Sequence, residues 1–233
     1  MALSGMVLAT LWVGQAAAQP YPGRAAITQY RMTTELEVAM ARSAAPPSVA
    51  DKASVMVLGE RGYETAVAGA NGFVCMVQRA WANDLDNSDF WNPKVRGPIC
   101  FNAAAAETVL PAYLRRTEWV LAGLTRDEIA RRIEAGPAAS APAVGAMCFM
   151  MSKLGYLGDD SGGPWRPHLM YFLPPTEAET WGANLPGSPV FGGVGGPLRE
   201  RLTVFITPVA RWSDGSIDET LGSAGHRHDG LAS

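Results

Sequence analysis

Cysteine, histidine and net positive charge are all scarce in this 233-residue sequence. With three cysteines, the chain cannot form a dense disulfide scaffold or a four-cysteine zinc site. The 19 lysines and arginines against 22 aspartates and glutamates give a net charge of −3, so the basic footprint of a nucleic-acid-binding protein is absent. Beyond the first 18 residues, no apolar run is long enough to cross a bilayer. We therefore expect no nucleic-acid partner and no transmembrane segment in the mature chain.

The composition is typical of a folded domain with many loops. Hydrophobic residues make up 48% of the chain and charged residues 18%, which excludes an intrinsically disordered protein. The 25 glycines and 17 prolines interrupt the sequence too often for a helical bundle or a coiled coil. This length is sufficient for a sizeable core. We predict a single globular domain over residues 19–233.

The first 18 residues have features of a secretory signal peptide. They carry no charge, residues 3–13 are mostly apolar, and alanines at 16–18 place small residues before a cleavage site. No lysine or arginine precedes the apolar run, and a buried N-terminal helix is the alternative interpretation. The favoured interpretation is cleavage after Ala18, which makes the mature protein secreted or periplasmic.

Hydrophobic periodicity in the first half of the chain predicts one helix followed by three strands. The helix is expected at 28–45, where apolar residues recur on one face. Strands are expected at 54–58, 63–68 and 73–78, separated by short glycine-containing turns. Because both turns are short, we predict that the three strands form an antiparallel meander.

The second half of the chain predicts two helices and then further strands. A helix is expected within 103–122 and either begins or kinks at Pro111. Thr125 and Glu128 have the spacing of a capping box at the start of the next helix. A glycine- and proline-rich loop is expected at 183–197. Three further strands are predicted at 144–153, 168–173 and 202–209.

The order of these elements predicts the fold class. Helices and strands occur in separate runs, without regular alternation, and this order is typical of α+β proteins. We predict a mainly antiparallel sheet packed on helices, and a β-sandwich with helical insertions is the alternative.

The three cysteines differ in their surroundings. Cys75 and Cys100 flank a polar loop, and in an exported protein we predict that they form a disulfide; free core thiols and metal ligands are the alternatives. Cys148 lies in an apolar segment without a nearby base, so we predict a buried, unreactive thiol.

The segment Asp-Ser-Gly-Gly-Pro at 160–164 resembles the nucleophile loop of trypsin-like serine proteases. That family places its general-base histidine upstream of the serine, whereas the histidines here, His168, His226 and His228, all follow it. We therefore predict that Ser161 is not a nucleophile and that the segment is a surface loop.

The candidate ligand- or metal-binding residues are Asp159, Asp160 and His168. Two carboxylates and one imidazole can bind a metal ion or move a proton if a hairpin brings them together. Strand alternation places His168 on the same face as Met170 and Phe172, which favours a hydrogen-bonded structural histidine over a ligand.

Three stretches carry a resemblance: Asn-Gly-Phe-Val-Cys at 71–75, the proline-rich segment 174–189, and Arg-Trp-Ser-Asp-Gly at 211–215. They are similar to a group of uncharacterised secreted bacterial proteins with no assigned activity, over most of the mature chain. The resemblance implies export and brings no catalytic residues with it.

These observations favour a non-catalytic exported domain that binds a small molecule or a partner in the cell envelope. No cofactor is expected. The alternative is a hydrolase or metal-dependent enzyme that uses the loop 159–168.

The signal-peptide interpretation predicts that the exported protein begins at Gln19, because the small residues at 16–18 define the cleavage site. Intact-mass measurement of protein recovered from the secreted or periplasmic fraction is the test. An exported species that still carries residues 1–18 contradicts the prediction.

Overall fold

The computed structural model describes residues 21–136, 141–159, 165–194 and 200–219. The predicted signal peptide, Asp160, Ser161 and the two tail histidines lie outside these ranges. The α-helices of the described ranges are α1 (Thr34–Arg42), α2 (Pro47–Ala50), α3 (Ala103–Thr108), α4 (Leu110–Leu121) and α5 (Arg126–Ala135). The strands are β1 (Ser54–Leu58), β2 (Tyr63–Val67), β3 (Val74–Gln78), β4 (Gly97–Phe101), β5 (Met147–Met150), β6 (His168–Leu173), β7 (Phe191–Val194) and β8 (Thr203–Pro208).

The eight strands form one sheet in the order β2-β1-β3-β4-β5-β6-β8-β7. Neighbouring strands are antiparallel except β1 and β3, which are parallel. Helix α1 packs on one face of the central strands, and α3 and α4 pack on the other. The predicted α+β class is confirmed. The β-sandwich alternative does not apply, because all the described strands belong to a single sheet.

The predicted meander is wrong, although the three strands lie where expected. β3 pairs with β1 on the side opposite β2, so β1 lies between them. The residues at 64–66 in β2 are exposed, whereas those at 75–77 in β3 are buried on both faces. A half-polar strand is suited to a sheet edge, and a continuous apolar strand needs cover on both faces. The connection from β2 to β3 passes the start of β1, where the Gly69 amide donates to Ser54 Oγ at 2.9 Å.

The predicted disulfide is present between β3 and β4. Cys75 and Cys100 lie directly opposite each other with their Cα atoms 3.9 Å apart. Both are fully buried in the apolar layer beneath α1. In the chain-entropy model, a cross-link spanning 25 residues stabilises the fold by about 3–4 kcal/mol. Cys148 is a buried free thiol, as predicted, and lies on the opposite face of the sheet.

A buried ion pair joins α1 to the central strands. Arg79 Nη2 lies 2.8 Å from Glu37 Oε1, and both side chains are almost inaccessible to solvent. Glu37 Oε1 also accepts the amide of Leu58 at 3.1 Å. The guanidinium donates to the main-chain carbonyls of Tyr30, at 2.7 Å, and Val77. The second carboxylate oxygen, Oε2, is buried and has no hydrogen-bond partner within the described ranges.

The helix predicted at 28–45 is shorter in the structure. Only a 3-10 turn, Ile27–Gln29, forms in its first part, and α1 begins after Thr33, whose hydroxyl accepts the amide of Leu36. Tyr30 therefore lies outside the helix. It is fully buried, and its hydroxyl donates to the carbonyl of Trp91 at 2.8 Å. Tertiary burial of this aromatic ring overrides the local helical periodicity.

Two other helix starts agree with the sequence. Pro111 lies in the first turn of α4, so a helix begins near it as expected, but the predicted region 103–122 holds two helices, α3 and α4, separated by Val109. The predicted capping box is confirmed, because Thr125 accepts the amide of Glu128 and Glu128 accepts the amide of Thr125.

Strand β7 occupies part of the segment predicted as a loop. Gly192 and Gly193 give no strand signal in the sequence, and the strand forms because it pairs with β8. Asn184, which has a φ of 62°, covers its outer edge. The Asn184 side chain donates to the Gly192 carbonyl at 2.8 Å and accepts the Gly192 amide at 3.1 Å. One side-chain amide thus replaces a neighbouring strand at this position.

The ion pair predicts a large difference between two glutamates. Glu37→Gln is expected to lower the free energy of unfolding by about 3–5 kcal/mol, because it leaves the Arg79 charge buried and unpaired. Glu60→Gln is the matched control, since Glu60 pairs with Arg31 at an exposed position. It is expected to cost less than about 1 kcal/mol. Urea unfolding of the two variants measures both values, and equal losses contradict the prediction.

Candidate functional site

His168 opens β6 and faces the core. Burial alternates along this strand, so His168 lies on the same face as Met170 and Phe172, as the sequence predicted. The residue is 2% exposed. Its Nδ1 lies 2.7 Å from the carbonyl oxygen of Arg166. Because a carbonyl oxygen only accepts, Nδ1 carries the proton and donates.

The other ring nitrogen, Nε2, is buried and has no hydrogen-bond partner among the described residues. Burial lowers the pKa of His168 below the ordinary value of 6.5, and the bond to the Arg166 carbonyl opposes this shift. The ring is therefore neutral at neutral pH, and Nε2 presents an unprotonated lone pair. Native proteins satisfy most buried polar atoms, so this lone pair requires an explanation.

His168 lines a small cavity at the ends of β4, β5 and β6. The cavity has a volume of about 10 Å³, which is room for about one water-sized occupant. Trp165 forms part of its wall, with its ring centroid 5.1 Å from that of His168 and 43% of its surface exposed. In the part of the wall formed by described residues, every lining side chain apart from His168 lacks an ionisable group. The lone pair of Nε2 therefore has no competing charge in the wall.

Met150 lines the same cavity from the neighbouring strand. It lies directly opposite His168 in the register of β5 and β6. The Gln78 side-chain amide lies 3.8 Å from the Met150 sulfur. The absence of a side chain at Gly97 leaves room for the Gln78 side chain, because a Cβ at residue 97 would come within 2.6 Å of Gln78 Cγ. The site thus combines a neutral imidazole and a thioether on two paired strands.

Asp159, the second predicted site residue, belongs to a different polar cluster. The Tyr21 hydroxyl donates to Asp159 Oδ2 at 2.5 Å, and the Tyr156 hydroxyl donates to Oδ1. Lys94 Nζ lies 3.4 Å from Oδ1. The hydrogen bond from Tyr21 is the main reason that the pKa of Asp159 is lowered. The main-chain amide of Asp159 donates to the Asp89 carboxylate at 3.0 Å. Asp159 therefore connects the segments that carry Tyr21, Asp89 and Lys94.

The predicted metal-binding set of Asp159, Asp160 and His168 stays a prediction, because Asp160 lies outside the described residues. Within the described residues, no hydrogen bond or ion pair links Asp159 to His168. The same ranges contain no group of three or more histidine, cysteine, aspartate or glutamate side chains placed to hold a metal ion. Sequence reasoning missed Met150, because only the register of β5 and β6 brings it opposite His168. Trp165 lies three residues before His168, and sequence reasoning favoured a role for it at the edge of the core.

A second opening lies beside the start of α5, with a volume of about 340 Å³. Its wall includes Arg24, Arg126 and Asp127, so it presents charges of both signs. The capping box of Thr125 and Glu128 already satisfies backbone and side-chain groups at this helix end. Arg126 Nη2 in this wall is also buried without a hydrogen-bond partner among the described residues, but a guanidinium only donates and offers no lone pair to a ligand.

Comparison of the chain with protein-family models, curated proteins and solved structures finds no match in any of the three. Among the described residues, no helix combines the length and the apolar character needed to cross a membrane.

The burial of His168 predicts a specific dependence of stability on pH. Its pKa is lower in the folded than in the unfolded state, so protonation at acidic pH favours unfolding. As the pH falls below about 6.5, wild-type stability should decrease more steeply than that of His168→Gln, and the difference should level off below the folded-state pKa. Urea unfolding of both proteins between roughly pH 7.5 and pH 5 gives the comparison. Parallel pH profiles contradict a neutral, buried ring.

Proposed function

We propose that this protein is an exported, non-catalytic binding domain whose ligand site is the His168 cavity. The observation that carries the proposal is the buried lone pair of His168 Nε2, which has no partner among the described residues. An unsatisfied buried polar atom is costly, and a bound ligand atom removes that cost. Trp165 lines the cavity and is also partly exposed, so the cavity lies close to the protein surface.

Two features support export. The disulfide between Cys75 and Cys100 belongs to an oxidising compartment, because the cytosol keeps thiols reduced. The apolar, uncharged stretch before Gln19 has the character of a signal peptide. Each feature is independent of the other, and both point to a location outside the cytoplasm.

The geometry favours binding over hydrolysis. A catalytic histidine is usually oriented by a carboxylate, whereas Nδ1 of His168 donates to the main-chain carbonyl of Arg166. The carboxylate of Asp159 is already engaged by Tyr21, Tyr156 and Lys94. A cavity of about 10 Å³ admits one small occupant and not a substrate with a bond to be cleaved.

The proposal predicts a bound species in protein isolated without denaturation. Native mass spectrometry of protein recovered from the bacterial envelope fraction should give a mass above that of the chain alone. His168→Phe should abolish the difference, because the phenyl ring fills the cavity and has no lone pair. His226→Phe is the matched control and should retain it, since His226 is in the tail. Thermal unfolding confirms that each variant is folded.

Two results would overturn the proposal. The first is a bound species that His168→Phe retains. The second is covalent labelling of the wild-type protein by a serine-hydrolase fluorophosphonate probe that disappears in Ser161→Ala, which would favour the hydrolase alternative.

A further inference from the structure

The geometry points to a soft monovalent metal ion, Cu(I), as the ligand of the His168 cavity, held by His168 Nε2 and Met150 Sδ. This inference rests on the proposed function, because it requires the cavity to be a binding site. It adds the chemical class of the ligand and a second ligating residue.

The two donor side chains meet through strand pairing. Met150 and His168 are directly opposed on the antiparallel strands β5 and β6. Side chains at opposed positions lie on the same face with Cβ atoms about 4.5–5.5 Å apart. Both side chains line the same cavity. A single ion in that cavity therefore lies within the reach of both.

The histidine already has the arrangement of a metal ligand. Metal-binding histidines almost always donate their second ring nitrogen to a carbonyl or carboxylate, which fixes the tautomer and the ring orientation. His168 donates Nδ1 to the Arg166 carbonyl and leaves Nε2 unprotonated. The ring is therefore oriented for ligation before any ion arrives.

The type of donor selects the metal. Thioether sulfur is a soft ligand that favours Cu(I), whereas magnesium, calcium and manganese prefer carboxylate, carbonyl and water oxygens. Zinc typically takes four ligands, and Met150 and His168 supply two. Among the described residues, no carboxylate or thiol lines the cavity, and burial of one positive charge without a counter-charge costs less than burial of two.

Cys148 is the other soft side chain near the site. It lies two residues before Met150 on the same strand and the same face, but does not line the cavity. Burial raises the pKa of its thiol, so the reactive thiolate form is disfavoured. Because Cu(I) and Ag(I) bind thiolates strongly, the experiment must separate this residue from the proposed pair.

The test is a metal titration of the mature chain carrying Cys148→Ala. The probes are Cu(I), kept reduced without oxygen and presented in competition with a chelator, and Ag(I) as a redox-stable soft cation. We expect one equivalent of each to bind, and Zn(II) not to compete. Met150→Leu should weaken binding by about tenfold or more, a loss typical of damaged metal sites. Met170→Leu is the matched control, because Met170 lies on the same face but outside the cavity wall.

Met150→Leu keeps the side-chain volume nearly constant, so its effect reports the sulfur, which also accepts from the Gln78 side-chain amide, and not the packing. X-ray absorption of the Cu(I) complex should show a sulfur neighbour that this substitution removes. Equal affinity in Met150→Leu and the parent protein would overturn the inference. Binding that is lost in His226→Gln/His228→Gln, with His168 intact, would also overturn it by assigning the ion to the tail.

The outcome distinguishes the metal assignment from the proposed binding function. If neither Cu(I) nor Ag(I) binds but the native mass difference still depends on His168, the metal assignment is refuted and the binding function stands. If the native mass difference persists in His168→Phe, the proposed function itself is refuted. His168→Phe is also expected to abolish metal binding. If His168→Phe does not fold, the affinity of Met150→Leu decides the metal assignment.

Discussion

The buried ion pair of Glu37 and Arg79 is the contact on which the central fold depends. Removing both charges from water costs several kcal/mol each, and the structure offsets this with hydrogen bonds from separate parts of the chain. Glu37 accepts from the end of β1, while Arg79 donates to the carbonyls of Tyr30 and Val77. These bonds form together only when α1 lies against β1 and β3. The pair therefore stabilises both the docking of α1 and the position of β3 beside β1.

The candidate site depends on the same strands. The disulfide holds β3 to β4 in the interior of the sheet, and β4 in turn pairs with β5. The His168 cavity is built where β4, β5 and β6 end, so its donor groups lie on or beside rigid strands. Sites built on regular elements keep their geometry better than sites confined to loops. Asp159, by contrast, lies in a connecting segment and serves to hold Tyr21, Tyr156 and Lys94 together.

Particular elements show how far the sequence predicts this fold. The sequence correctly predicts a strand at 73–78, but the short turn before it wrongly predicts that β3 pairs with β2. The turn at Gly69 instead returns along β1, because an interior position covers both faces of β3. Strand β7 was missed for a related reason. Its two glycines have low strand propensity, and pairing with β8 together with the Asn184 cap makes it a strand.

The sequence by itself determined the α+β class, the capping box at Thr125 and the face of β6 on which His168 lies, and it favoured a Cys75–Cys100 disulfide over free thiols or metal ligands. These depend on backbone preferences, residue types and alternation within short segments. Only the tertiary structure decided that β1 and β3 are parallel, that Met150 opposes His168 and that Tyr21 binds a carboxylate 138 residues away. The physical reason is that strand neighbours are chosen by burial over the whole sheet, which no short segment encodes.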